Sequence, residues 1–507
     1  NRFLHPNKYI SKYYELEKWL VEYNDFPRVM LRRIYKLSLR KLPADIKRPK
    51  SPIYPSYLNG YGEDKNLRFL SIEENLNKKE SLIKKEIKYN LSRGKPSSAL
   101  LILKRNKKSF SKKYEYDRIL GSISLSFYAY GKIEKSYEVI KIAADSSGYQ
   151  DAWLSWRAGL VSYRIGKNNE ALKYFSTCSK IESAVREWEK AACAYWSSRI
   201  YEEKGEKKKA IEFLKLASTS SRSMYGHLSR EKLKISEPYE WEPFKEVKSE
   251  VVNMFKYEEL SRALALTEIG LYGEADLEIR NLYGKLKGNQ ARSLLFLAEE
   301  MHLPAVQIRI GSKLSSNMEP VMRGLYPAPE WNLNKRLSLD KALLFALIRK
   351  ESAFDLKAKS SRGARGLMQL MPRTASRIEG DRKLRGINIS KLYSPDLNIY
   401  IGQKFIKKLF DSKNINSSII HTLVAYNAGP SRMKEWVDKL NITDDPLLFI
   451  ESLPSSETRW FVKYVLTDMW IYRDRFRQKK PTRKMLAYDK WPKYKNIDIG
   501  KSADARY

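Results

Sequence analysis

The chain has 507 residues and carries 96 lysines and arginines against 59 acidic residues, which gives a formal net charge of +37. This length exceeds what one compact core uses and predicts two or three domains. An apolar content of 42% suffices for folded cores. The sequence contains no uninterrupted apolar run of about 18 residues, so we expect no membrane-spanning helix. We expect no nucleic-acid partner, because the basic residues are spread over many predicted helices and no nucleic-acid motif is present.

Between residues 94 and 275 the chain repeats a pattern in which a glycine is followed five residues later by a small residue. Successive glycines are 37, 35 and 39 residues apart, and a fifth follows after a longer gap. Each glycine is predicted to end one helix, and each small residue to let the next helix pack closely. Periods of this size are typical of degenerate tetratricopeptide-like helix pairs, which stack into a superhelix. The pairs are Gly94 with Ala99, Gly131 with Ser136, Gly166 with Ala171, Gly205 with Ala210, and Gly270 with Ala275.

Cys178 and Cys193 fall in two successive predicted helices, with the connection midway between them. They are placed to face each other across an antiparallel pair, where an oxidising compartment would allow a disulfide. We favour the alternative, two small buried side chains without a covalent bond. The four histidines lack metal-ligand spacing to each other and to the cysteines, so we expect neither a metal site nor a cofactor.

A stretch that combines prolines and a tryptophan, SEPYEWEPF at 236–244, predicts a break between domains. From Arg475 onward the chain is predicted to be a polar, mobile end. We therefore expect an all-α protein of several parts. These are a superhelical domain over 1–235, a helical linker domain over 236–322, a domain that carries the chemistry over 323–478, and a basic tail over 479–507.

Near residue 350 an apolar helix ends in a carboxylate. The run DKALLFALIRKE at 340–351 places Leu344, Leu347 and Ile348 on one helical face, and Glu351 continues that face. A carboxylate that points the same way as a buried stripe loses water, which raises its pKa. A carboxylic acid that is still protonated near neutral pH can serve as general acid in glycoside cleavage. The alternative is a helix that surfaces at its end, with Glu351 simply solvated.

After Glu351 the helical pattern breaks at a segment rich in serine, arginine and glycine. Gly363 and Gly366 supply turn conformations that other residues avoid. The apolar run LMQLMP follows at 367–372. Its lone amide, Gln369, either caps backbone groups or reaches into a cleft.

Two further segments complete the region. Residues 419–430 (IIHTLVAYNAGP) predict an apolar helix that a glycine and a proline stop. Tyr426 and Asn427 lie in the last turn of that helix. The stretch ESLPSSETRWFVKYVL at 451–466 follows.

In order and spacing, these segments resemble the catalytic domain of the soluble lytic transglycosylases, which is lysozyme-like. The family's motifs are E-S-x-F, G-L-M-Q-x-M-P, A-Y-N-A-G and E-T-R-x-Y-V. They read ESAF at 351–354, GLMQLMP at 366–372, AYNAG at 425–429 and ETRWFV at 457–462. Phe461 stands where the family usually has tyrosine, so no hydroxyl function is carried over there. The resemblance is close over 325–475 and looser before it, where the family has a superhelical domain that closes into a ring.

The resemblance implies a peptidoglycan lytic transglycosylase, a lyase that cuts the β-1,4 bond between N-acetylmuramic acid and N-acetylglucosamine. In that family the muramic C6 hydroxyl, not water, attacks the anomeric carbon and gives a 1,6-anhydromuramic end. Glu351 would protonate the leaving oxygen and then accept the proton of the C6 hydroxyl, so one catalytic carboxylate suffices. Asp355, four residues later, matches no catalytic position of the family and is expected to be structural.

The resemblance also implies a set of residues that contact the substrate. For Asn427 the alternative is a contact with backbone, and for Glu457 it is a salt bridge with Arg459. For Ser352 we expect a supporting role. The implied substrate-binding residues are Ser352, Gln369, Met371, Tyr426, Asn427 and Glu457.

Two other functions stay open from the sequence. A true muramidase would use water and leave a reducing end. A helical-repeat scaffold would bind peptidoglycan or a partner protein without cutting it. The complete set of Glu351, Gln369 and Tyr426 favours the enzyme over the scaffold.

The resemblance places the protein in the periplasm. The chain begins at Asn1 without methionine or an apolar signal run, so we expect an exported protein whose signal peptide is absent from this chain. Expected partners are peptidoglycan glycan strands, with cell-wall synthesis or remodelling proteins as further candidates, and we expect a monomer. The basic surface would attract stem-peptide carboxylates through weak, salt-sensitive contacts; the alternative is a simple compositional bias towards lysine.

Overall fold

The fold is all-α, as predicted, throughout the part of the chain that the computed structural model describes. Extended pairing among those residues is limited to isolated bridges, at Lys359 with Arg365, Arg365 with Leu370, and Ser418 with Lys493. The described residues are 3–4, 9–24, 26, 28–52, 57–58, 77–181, 187–242, 247–286, 290–315, 320–331 and 339–498.

The described part before residue 330 consists mainly of helices. They are α1 (Tyr13–Glu22), α2 (Arg28–Arg40), α3 (Lys78–Ser92), α4 (Pro96–Arg105), α5 (Lys113–Ala129), α6 (Ile133–Ser147), α7 (Ala152–Arg164), α8 (Asn168–Lys180), α9 (Glu187–Glu203), α10 (Lys207–Ser218), α11 (Met224–Leu233), α12 (Val247–Met254), α13 (Glu258–Glu268), α14 (Tyr272–Lys285), α15 (Gln290–Glu300), α16 (Pro304–Ser315) and α17 (Met322–Leu325).

The remaining described helices carry or support the predicted site. They are α18 (Lys341–Ser352), α19 (Pro372–Glu379), α20 (Pro395–Phe410), α21 (Ile419–Ala428), α22 (Pro430–Leu440), α23 (Pro446–Ser452), α24 (Ser456–Arg475) and α25 (Pro481–Ala487). Short 3-10 helices lie at Lys107–Ser109, Arg382–Arg385 and Ile389–Tyr393.

Packing divides the chain into two compact units. The first unit comprises Asn1–Lys65, Tyr239–Lys335 and Glu351–Ile399. The second unit comprises Asn66–Pro238, Arg336–Lys350 and Tyr400–Tyr507. Each unit draws on separate stretches of the chain, and the domain boundaries expected from the sequence stay a prediction.

The glycine repeat ends helices as predicted. All five glycines have a left-handed backbone, with φ between 72° and 76°, and each lies between two paired helices. The small residue five positions later is buried in every pair, from Ala99 to Ala275. In the second unit these contacts help build a core from α3 to α8, with Ile123, Phe127 and Ile140 at its centre.

Replacing Gly166 tests the backbone requirement alone. A Cβ atom at Gly166 would meet no atom within 4 Å, so the cost of Gly166→Ala comes from its φ of 76°. We expect Gly166→Ala to lower the free energy of unfolding by about 1 kcal/mol in urea denaturation. Gly166→Asn should lose less, because asparagine tolerates the left-handed region better. Equal losses for both variants would contradict this explanation.

Cys178 and Cys193 form a disulfide, with 5.9 Å between their Cα atoms. The favoured expectation of two unbonded buried thiols was therefore wrong. Both residues are fully buried on neighbouring helices α8 and α9, so burial and bonding occur together. Spacing in the sequence placed the residues opposite each other but did not fix the distance between them.

The prediction of a mobile end from Arg475 onward was wrong for the described residues, which extend to 498. Helix α25 buries Leu486 and Ala487, and the Trp470 indole donates a hydrogen bond to Thr482 at 3.0 Å. The prediction followed the many lysines and arginines of this segment and overlooked the few apolar residues between them, which pack against the fold.

Glu237 connects this C-terminal segment to α11 within the second unit. Its buried carboxylate lies 3.2 Å from His227 Nδ1, 3.9 Å from both Arg230 Nε and Lys480 Nζ, and in contact with the Arg483 guanidinium. Burial acts to raise the pKa of Glu237, but attraction to His227, Arg483 and Lys480 outweighs it and lowers the pKa to about 2. The ionised form therefore stabilises the fold.

This lowered pKa predicts an acid-dependent loss of stability. The Glu237 pKa falls from 4.5 to about 2 on folding, so its contribution is complete above the unfolded pKa and is lost as the pH falls towards 2. Between pH 5 and pH 3 the wild type should lose about 2 kcal/mol more than Glu237→Gln, measured by urea denaturation at each pH. Parallel pH profiles for the two proteins would contradict the assignment.

Among the residues in the described ranges, no helix is both long and apolar enough to cross a membrane. The same residues contain no group of three or more histidine, cysteine or acidic side chains placed to hold a metal ion.

Candidate active site

Helix α18 carries Glu351 in its last turn. The predicted apolar face is confirmed, because Leu344, Leu347 and Ile348 are completely buried. Glu351 itself is half-buried, which lies between the two expectations of a fully desolvated and a fully solvated carboxylate. Part of the Glu351 side chain is therefore accessible.

Two ion pairs fix α18 against α24 within the second unit. Asp340, at the start of α18, accepts from the Leu343 backbone N–H at 2.9 Å and from Arg473 Nη2 at 2.9 Å. Both members of that pair are completely buried. Nearer the other end, Arg349 Nη1 donates to Asp468 Oδ2 at 2.8 Å. The backbone that leads to Glu351 is therefore held at two points along its length.

The chain reverses sharply after α18. Ala353 and Phe354 both adopt a left-handed backbone, with φ of 47° and 63°. The Asp355 N–H donates to the Ser352 carbonyl at 3.0 Å, and Phe354 is buried beside Trp331. Two consecutive non-glycine residues in this region are costly, by about 1 kcal/mol or more each, and such strain clusters at functional sites.

The loop that carries Gln369 closes on itself. Arg365 and Leu370 exchange backbone hydrogen bonds of 3.0 Å, and Gln369 between them has a φ of 43°. The Gln369 amide nitrogen donates to the carbonyls of Gly366 at 2.8 Å and Ala358 at 3.2 Å. The amide nitrogen therefore caps backbone groups, which is one of the two expectations for this side chain.

Met371 follows this loop directly, as the residue before the first turn of α19. Its side chain is 41% exposed, which is unusual for a methionine in an apolar run. An exposed thioether next to a rigid loop is suited to contact a ligand.

Asn398, which the sequence analysis missed, anchors the Gln369 loop. Its buried amide donates to the carbonyls of Leu392 at 2.8 Å and Arg365 at 2.9 Å, and its oxygen accepts from the Met368 N–H at 2.8 Å. Gly366 lies so close that a Cβ atom there would be 2.3 Å from the Leu392 oxygen. The available signal was a single amide within the apolar run LNIYI at 397–401.

Tyr426 lies in an aromatic stack of the second unit. Its ring is nearly parallel to that of Phe461, with 6.0 Å between centroids, and lies 5.5 Å from the ring of Phe405. Phe461 is buried, so the residue that departs from the family motif supports the Tyr426 ring through its face. Tyr426 itself is half-buried.

The neighbours of Tyr426 have defined partners. Asn427 Oδ1 accepts a hydrogen bond from the Thr458 hydroxyl at 2.7 Å, a contact that the sequence analysis did not anticipate. Glu457 is exposed, and no ion pair joins it to Arg459 within the described residues. Instead the buried Arg459 guanidinium donates to the Leu453 carbonyl, and burial lowers its pKa to about 9.

A buried charge network under this segment was also missed from the sequence. Lys463 Nζ lies 2.9 Å from a Glu451 carboxylate oxygen, which also accepts from the Tyr225 hydroxyl at 2.8 Å. The same ammonium lies 4.6 Å from the Trp188 ring and 4.1 Å from the Trp460 ring. Within the second unit, the network joins the helical repeats to α23 and α24.

The predicted site residues therefore fall into two groups. Glu351, Ser352, Gln369 and Met371 belong to the first unit, on the end of α18 and the loop before α19. The second unit holds Tyr426 and Asn427 at the end of α21, with Glu457 in the first turn of α24.

A helix that ends in a half-buried glutamate, a glycine-bound loop and a Tyr-Asn helix end are the features that the sequence resemblance to a lysozyme-like α-rich domain implies. The sequence model of the transglycosylase SLT domain matches residues 332–448. Residues 332–448 therefore match the SLT domain family, which confirms the resemblance seen in this part of the sequence.

Curated relatives carry the corresponding name. The soluble lytic murein transglycosylase of Escherichia coli (strain K12) is 30% identical over 310 residues, 60% of this chain and 46% of that protein. A putative soluble lytic murein transglycosylase of Haemophilus influenzae is 33% identical over 139 residues, 27% of this chain and 23% of that protein. The chain thus spans about half the length of the first of these relatives.

Solved structures share the fold. The 70 kDa soluble lytic transglycosylase of Escherichia coli aligns with a TM-score of 0.63 at 21% identity, covering 80% of this chain and 64% of that one. An inactive mutant of the lytic transglycosylase Slt from Pseudomonas aeruginosa aligns with a TM-score of 0.59 at 22% identity, covering 77% and 62%.

Removing the Asn398 amide should loosen the Gln369 loop. In Asn398→Ala the Met368 N–H and the carbonyls of Leu392 and Arg365 each lose one hydrogen bond, so we expect a loss of about 2 kcal/mol or more in stability. Backbone amides of residues 365–370 should exchange faster with deuterium, measured by mass spectrometry. The exposed Asn414→Ala serves as control and should change neither quantity. Unchanged exchange in Asn398→Ala would refute the anchoring role.

Proposed function

We propose that this protein is a peptidoglycan lytic transglycosylase that cleaves the β-1,4 bond between N-acetylmuramic acid and N-acetylglucosamine and leaves a 1,6-anhydromuramic end. The match of residues 332–448 to the SLT domain, and relatives named lytic murein transglycosylases, support the substrate. The observation that carries the mechanism is the half-buried Glu351 at the carbonyl end of an apolar helix.

Glu351 acts first as acid and then as base. Its proton passes to the bridging oxygen as the bond to the anomeric carbon breaks, which releases the N-acetylglucosamine hydroxyl. The carboxylate then takes the proton of the muramic C6 hydroxyl while that oxygen bonds to the same anomeric carbon. The acid is regenerated and no water is consumed, so a second catalytic carboxylate is not needed.

The position of Glu351 in its helix supports its proposed role as the acid. It lies in the last turn of α18, where the helix dipole disfavours a negative charge. Near it, Arg349 pairs with Asp468 at 2.8 Å, and Lys350 Nζ lies 4.5 Å from the Tyr464 ring.

The nearby Asp355 has a structural role in this mechanism. Its Oδ1 accepts from the Lys357 N–H at 2.9 Å, and its Oδ2 lies 3.9 Å from Arg309 Nη2. Both oxygens thus hold the turn that follows α18. These contacts support a mechanism with Glu351 as the single catalytic carboxylate.

The proposed substrate contacts follow from which atoms are already bonded. Gln369 uses its amide nitrogen for the loop, and Asn427 uses its oxygen for Thr458, so we assign Gln369 Oε1 and Asn427 Nδ2 to the sugar. Met371 and Tyr426 would supply partly exposed apolar surfaces to the glycan, and Ser352 and Glu457 complete the proposed set.

The proposed site of action is the periplasm, on glycan strands whose stem peptides carry carboxylates. A net charge of +37 supports this partner, because it would attract such a polymer through salt-sensitive contacts. Interaction with other cell-wall proteins and a monomeric state stay predictions.

Glu351→Gln tests the proposal directly. We expect turnover of purified sacculi to fall by about 10²–10⁴-fold or more, with an unchanged unfolding temperature, because amide and acid have the same shape. Glu330→Gln, on an exposed glutamate, is the matched control and should keep full activity.

Mass spectrometry of the wild-type digest identifies the reaction. Anhydro products are one water lighter than hydrolysis products, and we expect the lighter series. Reducing-end products would show a hydrolytic muramidase instead. Equal cleavage by wild type and Glu351→Gln would refute Glu351 as the catalytic acid, and no products from either protein would favour a scaffold function.

A further inference from the structure

We propose that the first unit contains an accessory saccharide site, separate from Glu351, that binds an amino-sugar segment of the glycan and stiffens the turn after α18. The site is a cavity of about 390 Å³, the size of a small-molecule pocket. The choice of amino sugar as ligand rests on the proposed function. The walls come from α2, α14 and α16, the turn after α18 and the start of α20.

Charges in the cavity wall balance and are largely fixed. Three cations, Arg33, Arg280 and Lys357, face three acids, Asp276, Asp355 and Asp396. The wall therefore selects no strongly charged ligand, which argues against a stem-peptide carboxylate as its main occupant.

Several of these wall groups are held by partners on more than one side. Asp276 lies 3.6 Å from Arg280 and 3.4 Å from Arg309, and Lys357 Nζ lies 2.7 Å from Glu274. Groups that are oriented in advance can donate to and accept from sugar hydroxyls without reorganisation.

Aromatic rings supply the other half of the wall. Tyr57, Tyr272 and Trp331 line the cavity. The Arg280 guanidinium stacks 4.2 Å from the Tyr57 ring and donates to the Leu58 carbonyl at 2.8 Å, so this face is held in place. Flat apolar rings next to fixed polar groups match a pyranose, which has apolar C–H faces and a polar hydroxyl rim.

The cavity adjoins the segment that ends α18. Phe354, Asp355 and Lys357 form part of its wall, directly after the left-handed Ala353. A ligand held against these residues would restrict the turn that begins two residues after Glu351. Occupancy of the cavity should therefore raise the efficiency of cleavage on long glycans without changing the product.

Gly273 allows the cavity to be filled without removing any wall group. A Cβ atom there would lie 3.4 Å from Lys357 Cε, at ordinary contact distance, so a larger side chain enters the cavity. Gly273→Phe is the filling variant and Gly273→Ala the matched control. Both are made in full-length Glu351→Gln protein, so that the ligand is not cleaved during the measurement.

Isothermal titration with the tetrasaccharide of N-acetylglucosamine gives the readout. Gly273→Ala should bind like its parent, and Gly273→Phe should lose one binding event or weaken it more than tenfold. Arg33→Ala, an exposed position outside the folded core, should weaken the same event and guards against misfolding of the filled variant. Identical titrations for Gly273→Phe, Arg33→Ala and the parent would overturn the proposal, whether or not the tetrasaccharide binds.

The accessory site and the proposed reaction fail separately. With Glu351 restored, Gly273→Phe should lower kcat/KM on sacculi several-fold and leave the anhydro product unchanged, whereas Gly273→Ala should match wild type. If the wild type forms no anhydro product, the proposed reaction is refuted. If Gly273→Phe still loses the binding event in that case, the cavity remains a saccharide site.

Discussion

The rigid attachment of α18 to α24 is the constraint on which the candidate chemistry depends. The buried pair of Asp340 with Arg473 and the pair of Arg349 with Asp468 hold the helix at two points. Removing one partner of such a pair leaves an uncompensated charge and costs about 3–5 kcal/mol. Because α18 continues without interruption to Ser352, the same contacts fix the backbone that carries Glu351.

The segment after α18 extends this constraint to the loop with Gln369. Left-handed backbone at Ala353, Phe354 and Gln369 is stored strain, which the surrounding contacts hold in place. Asn398 makes three hydrogen bonds that hold the Gln369 loop in place. Gly366 has no side chain, so Asn398 can approach the loop closely enough to make them. The turn thus serves both the end of the α18 helix and the wall of the cavity.

Features with a local cause were predicted well. A glycine at positive φ ends a helix, and a small residue five positions later lets the next helix pack closely. Because both effects act within a few residues, the predicted helix pairs were confirmed. The apolar face of α18 follows from its period in the same way. The disulfide and the ordered C-terminal segment were not predicted, because both depend on a partner distant from the local pattern, such as Trp470 for Thr482.

The sequence by itself determined the all-α class, the helix pairs and the resemblance to the SLT domain, and it proposed a candidate acid, since these rest on residue order and spacing. Only the tertiary structure decided which polar groups are satisfied: Asn398 in the loop, Glu451 with Lys463 under α24, Glu237 beside α11, and Thr458 on Asn427. These choices depend on distances between atoms far apart in the chain. Burial makes an unpaired polar group costly, so packing selects its partner, and a one-dimensional pattern does not contain that information.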